Sequence, residues 1–153
     1  MSEDPTLPQL EFDMARSSRY RRVGEVLAFR SDTCIVFEKP WGRQVLQPGG
    51  WLIVQLRNGR PTGEMHGCQA SAFAQTYRPV ASGQPDRYEK HAEVRAYQPG
   101  APCRFRCIVD DQIEVDTGIV SATDWVVRNP GGELYAVADE YFCEFYRSVS
   151  ATI

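Results

Sequence analysis

No stretch of this 153-residue chain holds an apolar run of the roughly 20 residues needed to cross a bilayer. The opening, "MSEDPTLPQLEFDMARSS", lacks the basic and then apolar regions of a secretion signal. Together these absences predict a cytoplasmic protein without a membrane partner. Histidine is scarce, at two residues, and the five cysteines (Cys34, Cys68, Cys103, Cys107 and Cys143) have no second Cys/His pair to complete a zinc site. An odd cysteine count also argues against a disulfide framework, so the thiols read as small buried hydrophobes. No Walker loop, nucleophile elbow, HExxH or dinucleotide fingerprint is present. Their absence lowers the expectation of catalysis, and no cofactor or metal is expected.

What is present is a chain rich in turns, with ten prolines and twelve glycines, 42% hydrophobic and 24% charged. That composition favours short strands over long helices. The net charge of −3 conceals a split. Residues 20–80 carry eight Lys/Arg against four Asp/Glu, whereas residues 81–153 carry seven against twelve. Such asymmetry can dock two halves in one orientation or give two differently charged faces.

An internal echo organises the chain. "GEVLAFR" from Gly24 corresponds to "AEVRAYQ" from Ala92, and "GGWLIV" from Gly49 to "TDWVVR" from Thr123. "GEMHGCQASAFAQTYRPV" from Gly63 corresponds to "GELYAVADEYFCEFYRSV" from Gly132. Three matches in one order predict two copies of a unit of about 60 residues, too small to be stable singly and so sharing an interface. The expected organisation is an N-terminal segment (1–19, partly disordered), a first β-rich repeat (20–80), a linker (81–91) and a second repeat (92–150).

In the second copy "EVRAYQ", "RFRCIV", "QIEVDTGIV", "DWVVRN" and "ELYAVA" read as strands, from their β-branched and aromatic content and from alternation. Asp139 is placed to cap a helix with Phe142, Phe145, Tyr146 and Val149 on one face. Ala70, Phe73, Ala74 and Tyr77 repeat that stripe, and Pro79 ends it. The predicted class is mainly β (α+β). Each copy is a small curled antiparallel sheet or SH3-like barrel, closed by a short α-helix.

With those motifs in view, "PGGWLIV…GE" and "DWVVRNPGGELYAVADEYFCEFYRSV" resemble the PGDYG-type small proteins of bacteria and phages. Pro48 and Gly49 are present but Gly50 replaces the Asp, while Asp124 is present but Ala122 and Thr123 replace Pro-Gly. The resemblance implies a phage- or prophage-associated accessory protein without a defined activity. It carries over Asp124, Trp125 and Glu133 as site candidates, with Trp51 and Glu64 as their counterparts.

The residues supply further candidates. His66 and Cys68 are two apart and share a strand face, the spacing of a thiol–imidazole pair, although Tyr135 and Val137 replace them in the second copy. Cys103 and Cys107 lie too far apart on a strand to hold one ion. Glu64 and Glu133 stand at the base of turns, where carboxylates accept backbone amides. "VDDQIEVD", with Asp110, Asp111, Glu114 and Asp116, reads as a solvated acidic face. Trp41, in the turn-like "EKPWGRQ", suits a partner anchor. Arg21, Arg22, Arg30, Arg43, Arg57 and Arg60, with Trp41 and Trp51, could form a nucleic-acid face.

Three function classes follow. The leading expectation is a non-enzymatic accessory protein that binds a protein partner, acting as a counter-defence inhibitor or regulator. The alternative is a nucleotide-type small-ligand module or enzyme with a pocket between the copies. The third is a nucleic-acid-binding small β-barrel. The candidate residues are Trp41, Trp51, Glu64, His66, Asp124, Trp125 and Glu133, in a monomer or a homodimer.

Overall fold

The computed structural model describes residues 7–149. Along the chain β1 (Ser18–Arg22) is followed by β2 (Glu25–Arg30), the hairpin β3 (Ile35–Lys39) and β4 (Gly42–Leu46), β5 (Trp51–Arg57) and β6 (Arg60–Cys68). Helix α1 (Ala70–Thr76) leads directly into β7 (Tyr77–Pro79), and then come β8 (Arg87–Lys90) and β9 (Glu93–Tyr97). A second hairpin, β10 (Cys103–Val109) and β11 (Gln112–Val120), precedes β12 (Trp125–Arg128), β13 (Leu134–Val137), α2 (Asp139–Phe145) and β14 (Tyr146–Ser148). The fold is therefore mainly β, as the composition predicts.

One five-stranded sheet has the order β6-β5-β2-β8-β7 and the other β13-β12-β9-β1-β14. Neither joins its two edge strands to each other. The first strand of the chain lies between β9 and β14, far from its neighbour in sequence, and β8 lies between β2 and β7. The segment 81–91, expected as a linker, thus supplies a sheet strand, because the exposed edge of β2 needs a hydrogen-bonding partner. Residues 1–6 of the N-terminal segment and residue 150 of the second repeat lie outside the described residues. From residue 7 onward the N-terminal segment is packed: Leu10 donates its backbone N–H to Arg104, and Phe12 meets Tyr97 edge-on at 5.0 Å.

The period-two pattern places the cores. Val26 and Ala28 of β2 bury against Ile53 and Phe73, while Val94 and Ala96 of β9 bury against Val127, Phe142 and Phe145. In β10, Cys103, Phe105, Cys107 and Val109 alternate inward to form a third core with Val115 and Val120. Phe105 lies opposite Gly118 on β11, and an added Cβ at Gly118 would run into the Phe105 ring. Gly42, at φ +144°, brings β4 against β11: a Cβ there would lie 2.8 Å from the Thr117 carbonyl oxygen, and Ile119 donates its N–H to the Trp41 carbonyl. This contact joins the two hairpins.

Both helices are shorter than the apolar stripes predict. They stop at Thr76 and Phe145, and Tyr77 and Tyr146 are already extended, starting the edge strands β7 and β14. Pairing with β8 and β1 supplies the hydrogen bonds that another helical turn would have supplied. Pro79 is therefore a residue of an edge strand and not the helix terminator. Asp139 is the first helical residue, not its cap, and its carboxylate accepts the Trp125 indole N–H at 2.8 Å.

Candidate functional site

A cavity of about 490 Å³ lies where the two sheets and the two hairpins come together. That volume falls within the range of small-molecule sites. Its walls draw on β1, β4, β6, β8, β11 and β13, and on both helices and the edge strands that follow them. Three polar clusters line it.

The first centres on Arg22, the last residue of β1. Burial opposes its charge, but the oxygens of Tyr146, Tyr77 and Tyr141 and the carboxylate of Glu64 hold the guanidinium charged, well above its ordinary range. Nε and Nη2 donate to Gln55 Oε1, and Nη2 donates to the Tyr141 hydroxyl at 2.6 Å. Tyr141 in turn reaches Glu64 at 3.4 Å. His66 donates from Nδ1 to Glu64 at 3.1 Å, and Lys39 donates to the same carboxylate at 3.3 Å. Burial would raise the Glu64 carboxyl, but His66, Arg22 and Lys39 outweigh it and hold the group far below the usual carboxylate range. Burial lowers the His66 pKa despite Glu64. At neutral pH the ring is thus uncharged, with Nδ1 protonated and Nε2 left as an acceptor.

The second cluster centres on Lys90, the last residue of β8. Its ammonium donates to Asn129 Oδ1 at 2.8 Å and to the Tyr135 hydroxyl at 2.7 Å, and sits 5.0 Å from the Tyr135 ring centroid. Burial, and then repulsion from Arg22, bring its pKa down to about 7. Beside it two buried atoms have no hydrogen-bond partner among the described residues, Glu133 Oε2 and the Tyr146 hydroxyl. A buried polar atom without a partner is costly, and such atoms gather where a ligand or water completes the bonding.

The third cluster is Glu114 on β11. The carboxyl accepts from Gln69 Nε2 at 2.7 Å and from the Cys107 thiol at 3.5 Å, and burial raises its pKa. Glu114 is therefore a wall residue, in contrast to the solvated face expected of "VDDQIEVD". Asp116 is exposed, paired with Arg106.

Of the seven candidates, Trp41, Glu64, His66, Asp124 and Glu133 line this cavity. Asp124 folds back on the turn beside it, accepting the Ser121 N–H at 3.0 Å. Trp41 packs against Phe105 at 5.6 Å, so one face of the expected anchor is committed to the third core. Trp51 and Trp125 are elsewhere, stacked on Phe73 at 4.1 Å and on Phe142 at 3.9 Å. Their repetition reflects helix packing. Glu64 and Glu133 do not fix turns: Glu64 binds side chains, and Glu133 has an unpartnered oxygen.

Cys68 also lines the cavity, but burial raises its thiol to about 12, which leaves His66 without a thiolate partner. The proposed basic face is divided by the fold. Arg22 is internal, while Arg21, Arg30, Arg43 and Arg57 pair with Glu93, Asp32, Glu38 and Glu144. Among the described residues no group of three or more metal-binding side chains converges, and no helix is long and apolar enough to cross a membrane.

Sequence reasoning missed Lys90, Gln55, Asn129 and the internal position of Arg22. A signal was present: "YRR" at Tyr20–Arg22 and "YEK" at Tyr88–Lys90 stand at the same distance before the matching "GEV" and "AEV". Both end in a basic residue where the chain turns into the next strand. A comparison with protein families, with curated proteins and with solved structures finds no match to this chain.

Proposed function

We propose that the protein binds a small polar ligand, of nucleotide size, in the cavity between its two sheets. One observation carries this reading: a cavity of about 490 Å³ lined by buried ionisable side chains, two of which present unpartnered atoms. A cavity that served packing alone would be small and apolar. Tyr77, Tyr141, Tyr146 and Trp41 offer flat apolar faces, while Arg22, His66, Lys90 and Glu133 offer donors and acceptors. That mixture suits a heterocycle bearing polar groups.

The reading includes two copies of one unit that have exchanged their opening strands. Its support is the matched strand orders and the matched positions: Arg22 with Lys90, Gln55 with Asn129, Glu64 with Glu133 and Tyr77 with Tyr146. Each exchanged strand ends on a basic residue that reaches an amide of the opposite sheet. Exchange thereby builds the cavity from both halves.

A thermal-shift screen with nucleosides, nucleotides, dinucleotides and cyclic nucleotides tests the proposal. A ligand at a hundred times its Kd adds about 2.7 kcal/mol. For a chain of this length that is a rise of roughly 5 to 10 °C. No shift with any member of the panel, and no retention in equilibrium dialysis, would remove the nucleotide-type reading.

The accessory-protein reading rests on the PGDYG-type resemblance and has one structural support. Ile108 and Ile113 face each other across the β10–β11 hairpin and are both about half exposed, at 52% and 46%. If that pair anchors a protein partner, Ile108→Asp should abolish a stoichiometric pull-down from a bacterial or phage-infected extract without altering the melting temperature.

A further inference from the structure

Building on the reading of the cavity as a ligand site, we propose that its occupant carries a carboxylate or phosphate group. That group sits between the Arg22 guanidinium and the Lys90 amine and accepts a hydrogen bond from the Tyr146 hydroxyl.

Burial without an ion pair singles these two cations out. Arg19, Arg21, Lys39, Arg57, Arg87 and Arg106 each pair with a carboxylate. Arg22 and Lys90 are buried more deeply than any of these, yet neither forms an ion pair among the described residues. Neutral groups orient them instead: Gln55 and Tyr141 hold Arg22, and Asn129 and Tyr135 hold Lys90. A buried cation held by neutral dipoles is aligned but not neutralised, which is costly until an anion arrives.

The donors are also unspent. Arg22 uses Nε and Nη2, leaving Nη1 without a partner among the described residues, and Lys90 uses two of its three protons. The Tyr146 hydroxyl lies next to that of Tyr135 but meets no partner with hydrogen-bond geometry among the described residues. Three donors on three different strands therefore border one cavity, and an oxyanion has the lone pairs to engage all of them.

Proton uptake accompanies binding. The groups facing Lys90 are Arg22 on β1, Cys68 on β6, Tyr77 on β7, and Tyr135 and Glu133 at β13. Burial and Arg22 push the amine toward neutrality, and Glu133 and Cys68 oppose them without prevailing. An anion beside the amine reverses that balance, so the charged form is the binding form.

The test is a pH titration of Lys90 by NMR on ¹³C-lysine-labelled protein, in chloride, sulfate and acetate at one ionic strength. Sulfate stands for a phosphate group and acetate for a carboxylate, and neither changes charge between pH 6 and 8. The proposal expects the Lys90 pKa to rise by about one unit in sulfate or in acetate but not in chloride. That shift corresponds to roughly tenfold tighter binding by the charged amine. The arm that responds identifies the group. Lys90→Arg should retain anion binding and lose its pH dependence, while Lys90→Met should lose binding with the circular dichroism spectrum unchanged. No rise in either arm, or an equal rise in chloride, overturns the anion site. A nucleoside that still raised the melting temperature would then leave the cavity as a neutral-ligand site. A Lys90 response to sulfate with no stabilising nucleotide would instead retain the anion site and reject the nucleotide-type ligand.

Discussion

Replacing Phe142 with Ala removes the ring on which the second half of the molecule is assembled. Phe142 is buried, at 3% exposure, and stacks on Trp125 at 3.9 Å and on Tyr146 at 4.5 Å, with Tyr20 edge-on at 4.9 Å. These partners belong to β12, β14 and β1, so one side chain ties three strands of the sheet to α2. Loss of a buried Phe costs about 3–5 kcal/mol in transfer and cavity energy. Each aromatic contact adds about 0.5–1.5 kcal/mol beyond its area, which places this site near the upper limit. At about 2–4 °C per kcal/mol for a chain of this length, the melting temperature should fall by roughly 8 to 20 °C. Urea titration followed by circular dichroism measures the cost directly, provided the m-value stays constant. Phe142→Leu, which refills part of the space, should lose less. A folded Phe142→Ala protein within about 1 kcal/mol of the parent would refute the placement of α2 against the sheet. Tyr141, the preceding residue, reaches Arg22, so the same variant should also weaken whatever the cavity binds.

Further outcomes follow from the same structure. The unfolded chain keeps the Lys90 proton to about pH 10.4, whereas the folded chain releases it near 7. Unfolding therefore takes up a proton in that window, and stability should rise with pH from 7 until the raised thiols of Cys68 and Cys107 together reverse the slope above about 9. In Lys90→Met the rise should be absent, and a parent protein of flat stability from pH 7 to 9 would contradict the buried amine. Glu64→Gln removes the carboxylate that supports His66 against burial, so the histidine pKa measured by NMR should fall further; a rise would mean that Glu64 does not face the ring. Gly118→Ala drives a methyl group into Phe105 and should cost about 1–3 kcal/mol in denaturant titration, and a neutral result would disprove that register of β10 and β11.

Much of the fold was legible in the sequence because its signals are local. Alternation in "CRFRCIV" and "QIEVDTGIV" marks two strands of one hairpin, and both form. The spaced aromatics of "FCEFY" mark a helix that buries Phe142 and Phe145, and it does. The helix limits were misread because Tyr77 and Tyr146 fit a helical stripe and an edge strand equally well, and pairing with β8 and β1 decides between them. The site was legible in part. His66 and Glu64 share a face of β6 by periodicity, whereas the repeated Trp51 and Trp125 drew attention to what proved to be core. Glu114 looked solvated because its neighbours Asp110, Asp111 and Asp116 are acidic, yet Gln69, 45 residues away, supplies the hydrogen bond that lets it be buried.

By itself, then, the sequence determined the mainly β class, the strands, the two short helices and the echo between the halves, since side-chain periodicity and turn residues act over a few positions. Only the tertiary structure decided that β1 and β8 each lie in the opposite sheet from the strand that follows them, β2 and β9. That arrangement turns Arg22 and Lys90 inward, toward amides and phenols 33 to 119 residues away. Burial without a direct ion pair, which no local pattern records, is what makes those two ordinary basic residues the centre of the candidate site.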